Sequence, residues 1–337
     1  RDRDRDHGGG QRLRRAEPGR CEVTPPPAVE LASVEREAAA LAARPVALEW
    51  VQLLKVRIAA MVGFAAFVGA LLAAGPRADL LAVLEAALWV TCVAGASTIF
   101  NQVIERDTDR LMRRTMLRPL VTGRLRLRDA ILVGAALALA GTLGLALRFN
   151  TLSALLALST LVAYALIYTP LKRVSTLNTV VGALPGAMPP VIGYAALAGE
   201  VQGWAWYLFA VLFAWQFPHF LAIAWMYRED YARAGLRMLP CVEGARGMTG
   251  RQALLYALAL VPVSLMPAVS DRAGPVYALA ALLLGLAYAG AALRFALRED
   301  RPRARALLLT SLVYLPALYS VTLLDPAVRA ACSRLIP

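Results

Sequence analysis

The sequence has few charged residues and no closely spaced cysteines. Charged residues make up 18% of the 337 residues, whereas hydrophobic residues make up 59%, and the mean hydropathy is +0.56. Ordinary soluble domains are about 45–50% apolar, so this composition argues against a typical soluble protein. The four cysteines lie far apart and form no CxxC, which argues against a disulfide framework and a zinc site.

The N-terminal region lacks the apolar core of a signal peptide. RDRDRDHGGGQRLRRAEPGR and the PPP that follows are charged and rich in glycine and proline, which predicts a disordered tail over residues 1–48. We predict one domain over residues 49–326 and a short C-terminal tail over residues 327–337.

Long apolar runs fill most of the predicted domain. A membrane-spanning helix needs about 20 mostly apolar residues, and short polar breaks such as RFNT and GEVQG are typical of turns between antiparallel neighbours. We therefore predict an all-α fold, a polytopic membrane protein formed by a bundle of nine transmembrane helices. The predicted spans are 53–74, 80–103, 129–147, 151–169, 177–198, 204–226, 252–270, 275–297 and 306–324.

The net charge of +13 is distributed unevenly between the two sides of the predicted bundle. Most basic residues after the tail lie in the connections that follow spans 2, 4, 6 and 8, whereas the opposite connections hold only Arg77, Arg148 and Arg272. The positive-inside rule then places the N-terminus in the cytoplasm and the C-terminus outside. Membrane topology thus explains the basic charge, and we expect no nucleic-acid partner.

An acidic stretch, NQVIERDTDRLMRRTMLRPL, follows the second predicted span at residues 101–120. Asn101, Glu105 and Asp109 recur every four residues, so they lie on one helical face with a drift of about 40° per step. Oxygen ligands without His or Cys suit Mg²⁺, which is commonly shared with substrate phosphates, and nearby arginines suit phosphate oxygens. The alternative is a solvated helix end in which these acids pair with Arg113. The spacing alone leaves both interpretations open.

This stretch resembles the NxxxDxxxD motif of the UbiA-type intramembrane prenyltransferase superfamily. More closely, it resembles the N-x3-D/E-x3-D-x2-M-x-RT-x2-RP-L block of the protohaem IX farnesyltransferase (haem O synthase) family. YTPLKRVSTLNTVVGALPGAMPPVIGY at 168–194 and WQFPHFLAIAWMYREDYARAGLRMLP at 215–240 resemble further blocks of that family in order and spacing. The sequence departs from the superfamily pattern at Glu105 and in its second acidic motif, which offers Glu229 and Asp230 instead of DxxxD.

The resemblance implies transfer of a farnesyl group from farnesyl diphosphate to a vinyl group of haem b, with addition of water, to give haem O. It implies Mg²⁺ as cofactor and an active site on the cytoplasmic side of the cell inner membrane, in contact with membrane lipid. It also suggests a haem A synthase or oxidase assembly factors as protein partners. The catalytic residues that it implies are Asn101, Glu105, Asp109 and Asp230; the metal ligands are the same four and Glu229; the substrate-binding residues are Arg113, Arg114, Arg118, Lys172, Asn178 and His219.

Three of these features have ordinary structural interpretations as well. Lys172 and Arg173 are membrane anchors or bind diphosphate. The span with NTVVGALPGAMPPVIGY, at 178–194, is a kinked packing helix or the wall of a cavity for a flat macrocycle. His219 is hydrogen-bonded within the bundle, or it binds the haem iron or orients the porphyrin.

Other functions are compatible with parts of the pattern. A quinone or chlorophyll prenyltransferase of the same superfamily would share the metal site. A multispan transporter would tolerate acids at the membrane boundary and a span interrupted by Pro and Gly. A haem-delivery factor would use His219 but would not need the face of Asn101, Glu105 and Asp109.

Overall fold

The computed structural model describes residues 44–75, 79–242, 244 and 247–333. Within these ranges nine helices are long and apolar enough to cross a membrane, and no strand is present. The spanning helices are α2 (Val56–Ala74), α3 (Leu80–Ile104), α4 (Leu127–Arg148), α5 (Thr151–Leu171), α6 (Asn178–Ala198), α7 (Gly203–Met226), α8 (Met248–Val269), α9 (Pro275–Leu297) and α10 (Arg301–Leu324). Two shorter helices flank them, α1 (Val46–Leu54) and α11 (Pro326–Ser333).

The nine-helix prediction is confirmed, with helix ends that differ by a few residues. The seventh span begins at Met248 instead of 252 because polar residues continue the helix beyond the apolar run. The predicted domain boundary after residue 48 falls within α1, and α11 occupies part of the predicted C-terminal tail. Of the predicted N-terminal tail, residues 1–43 lie outside the described residues.

Helices α2 and α6 cross at the centre of the bundle. A Cβ atom added to Gly69 would lie 1.9 Å from the carbonyl oxygen of Pro190, and one added to Gly193 would lie 2.0 Å from that of Ala66. Only glycine permits such an approach of two backbones. The helix α6 is interrupted at Met188, between Asn178–Ala187 and Pro189–Ala198. Its Pro- and Gly-rich sequence therefore forms a central packing element, which favours the packing interpretation.

Two hydrophobic clusters share this central pair of helices. One cluster joins α2 and α6 to α7, α8, α9 and α10, and the other joins them to α3, α4 and α5. Large apolar side chains such as Leu139, Leu147, Leu283 and Leu309 remain exposed on the outer faces. This arrangement is typical of a bundle whose outer surface contacts lipid.

Candidate active site

Asn101, Glu105 and Asp109 form a buried column at the end of α3. The amide N–H of Glu105 donates to the carbonyl of Asn101 at 2.9 Å, and that of Asp109 donates to the carbonyl of Glu105 at 2.7 Å. The three residues therefore lie one helical turn apart, although the backbone changes at Glu105 before the short helix Arg106–Asp109. Their exposed fractions are 2%, 8% and 1%. The interpretation as a solvated helix end is therefore wrong.

Each acid of the column contacts a cation, one from the following loop and one from beyond α5. Lys172, which follows α5, donates to Glu105 Oε1 at 2.7 Å. Arg118 donates to Asp109 Oδ2 at 2.5 Å. Asn101 Nδ2 donates to Thr169 Oγ1 at 3.1 Å, which joins α3 to α5. The column is thus a compact set of opposite charges at one end of the helices.

The environment of these groups shifts their protonation equilibria. Burial alone would raise the pKa of Glu105, but the Lys172 charge lowers it below its ordinary value. Burial would lower the pKa of Lys172, whereas Tyr168 and Glu105 raise it above its usual range. Burial raises the pKa of Asp109 even though Arg118 lies beside it. For the pKa of Asp109, burial thus outweighs the opposing effect of the Arg118 charge.

Lys55 is a further cation of this site and was not singled out by the sequence analysis. It connects α1 to α2 in the left-handed conformation, with φ 50°. Gln102 Nε2 donates to the carbonyl of Leu53 at 2.6 Å, which fixes the break against α3. Burial and the charges of Arg118 and Lys172 lower the pKa of Lys55 to about 7. Lys55 and Lys172 are the only lysines among 36 basic residues, a sequence feature that could have identified Lys55.

The loops at this end of the bundle pack against one another over the site. Met112, Leu236 and Met238 form a small hydrophobic cluster. The amide N–H of Arg237 donates to the carbonyl of Lys172 at 2.8 Å. Asn178 is fully buried, and its Nδ2 donates to the carbonyls of Ser175 and Arg237. The amide group of Asn178 thus ties two loops together, and its predicted contact with substrate stays a prediction.

The second acidic motif has two differently placed side chains. Asp230 accepts the amide N–H groups of Arg113 and Arg114, both at 3.3 Å, so it holds the loop that follows the acidic column. The side chain of Glu229 is 78% exposed and pairs with Arg228. The structure therefore brings Asp230 to the loop beside the column and turns Glu229 towards solvent. Metal binding by either residue stays a prediction.

The predicted arginines and His219 are divided between two places. Arg114 lies over the rings of Tyr227 and Tyr231, with its guanidinium carbon 4.6 Å and 5.6 Å from their centroids. His219 lies within α7, where its Nδ1 is 2.7 Å from Ser311 Oγ and its ring stacks on Trp215 at 4.8 Å. His219 is therefore held by α10 and not by the loops around the acidic column.

A cavity of about 300 Å³ opens beside the column. Polar lining residues are Glu105, Thr108, Thr169 and Arg173. Arg173 also donates to Thr108 Oγ1, so it links the end of α5 to the acidic stretch. The cavity has a volume within the range of small-molecule sites, about 300–1,000 Å³.

The acidic column fits a metal ion that arrives with a phosphate-bearing substrate. Among the described residues no group of three or more His, Cys, Asp and Glu side chains is placed to hold a metal ion. Mg²⁺, however, commonly uses one or two carboxylates together with water and substrate phosphates. Asp109 Oδ1 is buried and has no hydrogen-bond partner within the described part of the chain. This unsatisfied oxygen and the adjacent Glu105 are suitable donors for such an ion.

The fold and the site together define a class of protein. A polytopic helical bundle holds buried acids and cations at one end of its spans, where an amphiphilic substrate would place an anionic head group. The class is an intramembrane enzyme for lipid-like substrates.

Comparisons with known proteins narrow this class. The sequence pattern of the UbiA prenyltransferase family matches residues 62–314. The chain is 49% identical to the protoheme IX farnesyltransferase of Solibacter usitatus, over 73% of this chain and 85% of the relative. It is 42% identical to that of Koribacter versatilis, over 82% and 93%. The chain therefore belongs to the UbiA prenyltransferase family and, within it, to the family of protoheme IX farnesyltransferases.

A solved structure shares the fold. A UbiA homolog from Archaeoglobus fulgidus bound to GPP and Mg²⁺ matches with a TM-score of 0.58 and 18% identity, covering 81% of this chain and 99% of the homolog. At this identity the likeness establishes the arrangement of the helices.

Proposed function

We propose that this protein transfers the farnesyl group of farnesyl diphosphate to a vinyl group of haem b (protohaem IX), with addition of water, to give haem O and diphosphate. The observation that carries the proposal is the buried column of Asn101, Glu105 and Asp109 with its paired cations, in a chain 49% identical to a protoheme IX farnesyltransferase. A solvated helix end or a transport gate would not need an unsatisfied buried carboxylate oxygen beside two paired cations.

The column binds the diphosphate end of the prenyl substrate. Asn101, Glu105 and Asp109 would hold Mg²⁺, which when bound supplies Lewis-acid neutralisation of the diphosphate charge. Lys172 and Arg118 pair with the acids of the column. We infer that substrate binding exchanges these partners, so that the cations contact phosphate oxygens instead. The charges are thus held in place before the reaction and need little reorganisation during it.

The remaining basic residues position the departing diphosphate. Lys55, fixed at the break between α1 and α2, adds a third basic side chain near the column, and a bound diphosphate would favour its protonated form. Asp230 keeps the Arg113–Arg114 loop against the site through their backbone amides. Its role in this proposal is therefore positioning, and the proposal assigns no role to the exposed Glu229. As the C–O bond breaks, these cations stabilise the negative charge that develops on the diphosphate.

The prenyl and haem groups react within the bundle. A vinyl carbon of haem b attacks the allylic carbon as the C–O bond to diphosphate breaks. Water adds to the carbocation formed on the porphyrin side chain and releases a proton. His219, with Nδ1 bound to Ser311, presents its other ring nitrogen, and we propose that it contacts the haem. The protein itself supplies no nucleophile; it orients the substrates and keeps bulk water from the prenyl group.

The position of the loops supports a membrane orientation. The arginine-rich connections after α3, α5, α7 and α9 all lie at the end of the bundle that holds the column. We propose that this end faces the cytoplasm and that the protein resides in the inner membrane. A haem A synthase or an oxidase assembly factor would then be a natural acceptor of the hydrophobic product.

Production of haem O in cells tests the proposed function. The protein would be expressed in a host without its own haem O synthase, and extracted haems would be identified by mass spectrometry. Haem O is expected from the native chain and from Asp107→Asn, whose side chain is 83% exposed and pairs only weakly with Arg110 at 3.7 Å. Asp109→Asn, on the same short helix, should leave haem b alone. Haem b alone from a correctly inserted native chain would refute the proposal, and prenylated quinone precursors would identify the related activity.

A further inference from the structure

A groove of about 780 Å³ lies between the outer faces of α9 and α10, away from the acidic column. Its floor is formed by small residues, and a Cβ atom added to Gly290 would meet nothing within 4 Å. The lining residues are Leu286, Ala287, Gly290, Ala291, Arg294, Asp300, Pro302, Arg303, Ala306 and Thr310. The groove therefore has an apolar part along the spans and a charged part at their ends.

The charged part lies at the same end of the bundle as the acidic column. Arg294 is in the last turn of α9, and Arg303 is in the first turn of α10. From Arg294 to Leu286 the groove extends for about 12 Å along α9, at a rise of 1.5 Å per residue. It thus runs from the membrane boundary towards the bilayer interior.

The charges of the groove leave an excess of positive charge. Asp300 pairs with Arg303 and with Arg298, and it also accepts the amide N–H of Arg303. Glu299, the neighbouring acid, accepts the amide N–H of Gly250 and does not line the groove. Arg294 is exposed and has no acidic partner within the described ranges. A guanidinium at this depth suits a phosphate oxygen.

We propose that this groove binds an anionic phospholipid, with its phosphate at Arg294 and Arg303 and one acyl chain over Gly290 and Ala287. Basic pockets between spans at the membrane boundary are suited to anionic lipid head groups. A second copy of this chain is a poorer occupant, because a parallel symmetric pair would bring the Arg294 side chains of both copies together. The proposal does not depend on the enzymatic activity, since no groove residue lies in the acidic column.

Lipid retention measured by native mass spectrometry tests the proposal. The protein would be released from nanodiscs that contain equal amounts of phosphatidylglycerol and phosphatidylcholine. The native chain should retain one phosphatidylglycerol preferentially. Arg294→Gln should lower this preference about fivefold, since one basic residue near an anionic lipid contributes on the order of 1 kcal/mol. Gly290→Leu should lower retention of this lipid by filling the groove.

Arg305→Gln is the matched control, because Arg305 lies at the same end of α10 but does not line the groove. It should leave the preference unchanged, and all three variants should keep the native helical content and prenyltransferase activity. Equal retention of the two lipids by the native chain would overturn the proposal. An equal loss of lipid preference in Arg305→Gln would show that the preference comes from general surface charge and would also overturn the proposal. A dimer that is lost in Gly290→Leu would assign the groove to a second copy of the chain instead.

Discussion

The side chains of Glu105 and Lys172 form a buried ion pair, and loss of either partner alone should strongly destabilise the protein. Their side chains are 11% and 14% exposed, and Lys172 Nζ lies 2.7 Å from Glu105 Oε1. At an effective dielectric constant of about 20, the direct attraction at this distance is about 6 kcal/mol, against which the loss of hydration must be set. Removal of one partner leaves a buried charge and should cost about 3–5 kcal/mol.

A double-mutant cycle measures this coupling. Glu105→Gln and Lys172→Met would be compared with the double variant by equilibrium unfolding in mixed micelles, followed by tryptophan fluorescence. The double variant should lose no more stability than either single variant, because no unpaired charge remains. The resulting coupling energy should be at least about 3 kcal/mol, at or above the upper end of values for directly interacting residues.

The pair of Glu85 and Arg148 is the control for this cycle. Its atoms are 2.8 Å apart, but the side chains are 25% and 65% exposed. Solvent screening should reduce its coupling energy to about 0–1 kcal/mol. Equal coupling energies for the two pairs would refute the argument from burial, as would a value near zero for Glu105 and Lys172.

Three further predictions concern separate parts of the structure. At pH 8, before substrate is added, an amine reagent should modify Lys55 well ahead of Lys172, and peptide mass spectrometry would map the modified sites. The reason is that the pKa of Lys55 is lowered to about 7, whereas that of Lys172 is raised. In steady-state assays, Asp230→Ala should lower kcat/KM by about 10–100-fold, because its two partly exposed hydrogen bonds to a charged group are worth about 1.5–3 kcal/mol in total. Glu229→Gln should change kcat/KM less than about twofold. Gly69→Val should lower the free energy of unfolding by at least about 1–3 kcal/mol, since the added atoms collide with the backbone of α6.

Each of these predictions has a result that would contradict it. Equal labelling of the two lysines would show that their environments are alike. Equal effects of the Asp230 and Glu229 variants on kcat/KM would contradict a role of Asp230 in positioning the loop. For the helix crossing, Gly290→Ala is the control, because its Cβ would enter open space; a loss of stability as large as that of Gly69→Val would contradict the close approach of α2 and α6.

The spans and the common face of the three polar residues could be predicted from the sequence because both depend on local periodicity, whereas burial of that face could not. Runs of about 20 apolar residues fix the helices, and the four-residue spacing of Asn101, Glu105 and Asp109 fixes a common face. The partners of these acids could not be predicted. Lys172 is 67 residues from Glu105 along the chain, and their contact depends on the packing of α3 beside α5.

Two details of the site depended on backbone geometry that the sequence pattern does not show. Lys55 reaches the site because the chain breaks in a left-handed conformation between α1 and α2, and no glycine marks this break. Asp230 and Glu229 are adjacent on the short helix Arg228–Arg233, so their side chains point about 100° apart. The backbone of the loop that contains Arg113 hydrogen-bonds to Asp230, and the conformation of this loop is set by long-range contacts.

We propose that the acidic column holds the metal and the diphosphate of the prenyl substrate. The most direct test is a crystal structure of the protein with Mn²⁺ and a non-hydrolysable farnesyl diphosphate analogue, with the anomalous signal of manganese recorded. We expect an anomalous peak beside Asp109 Oδ1 and Glu105, with Lys172 and Arg118 moved from the acids to the phosphate oxygens. A peak at Glu229 or at another place, with both ion pairs of the column intact, would contradict metal binding by the column.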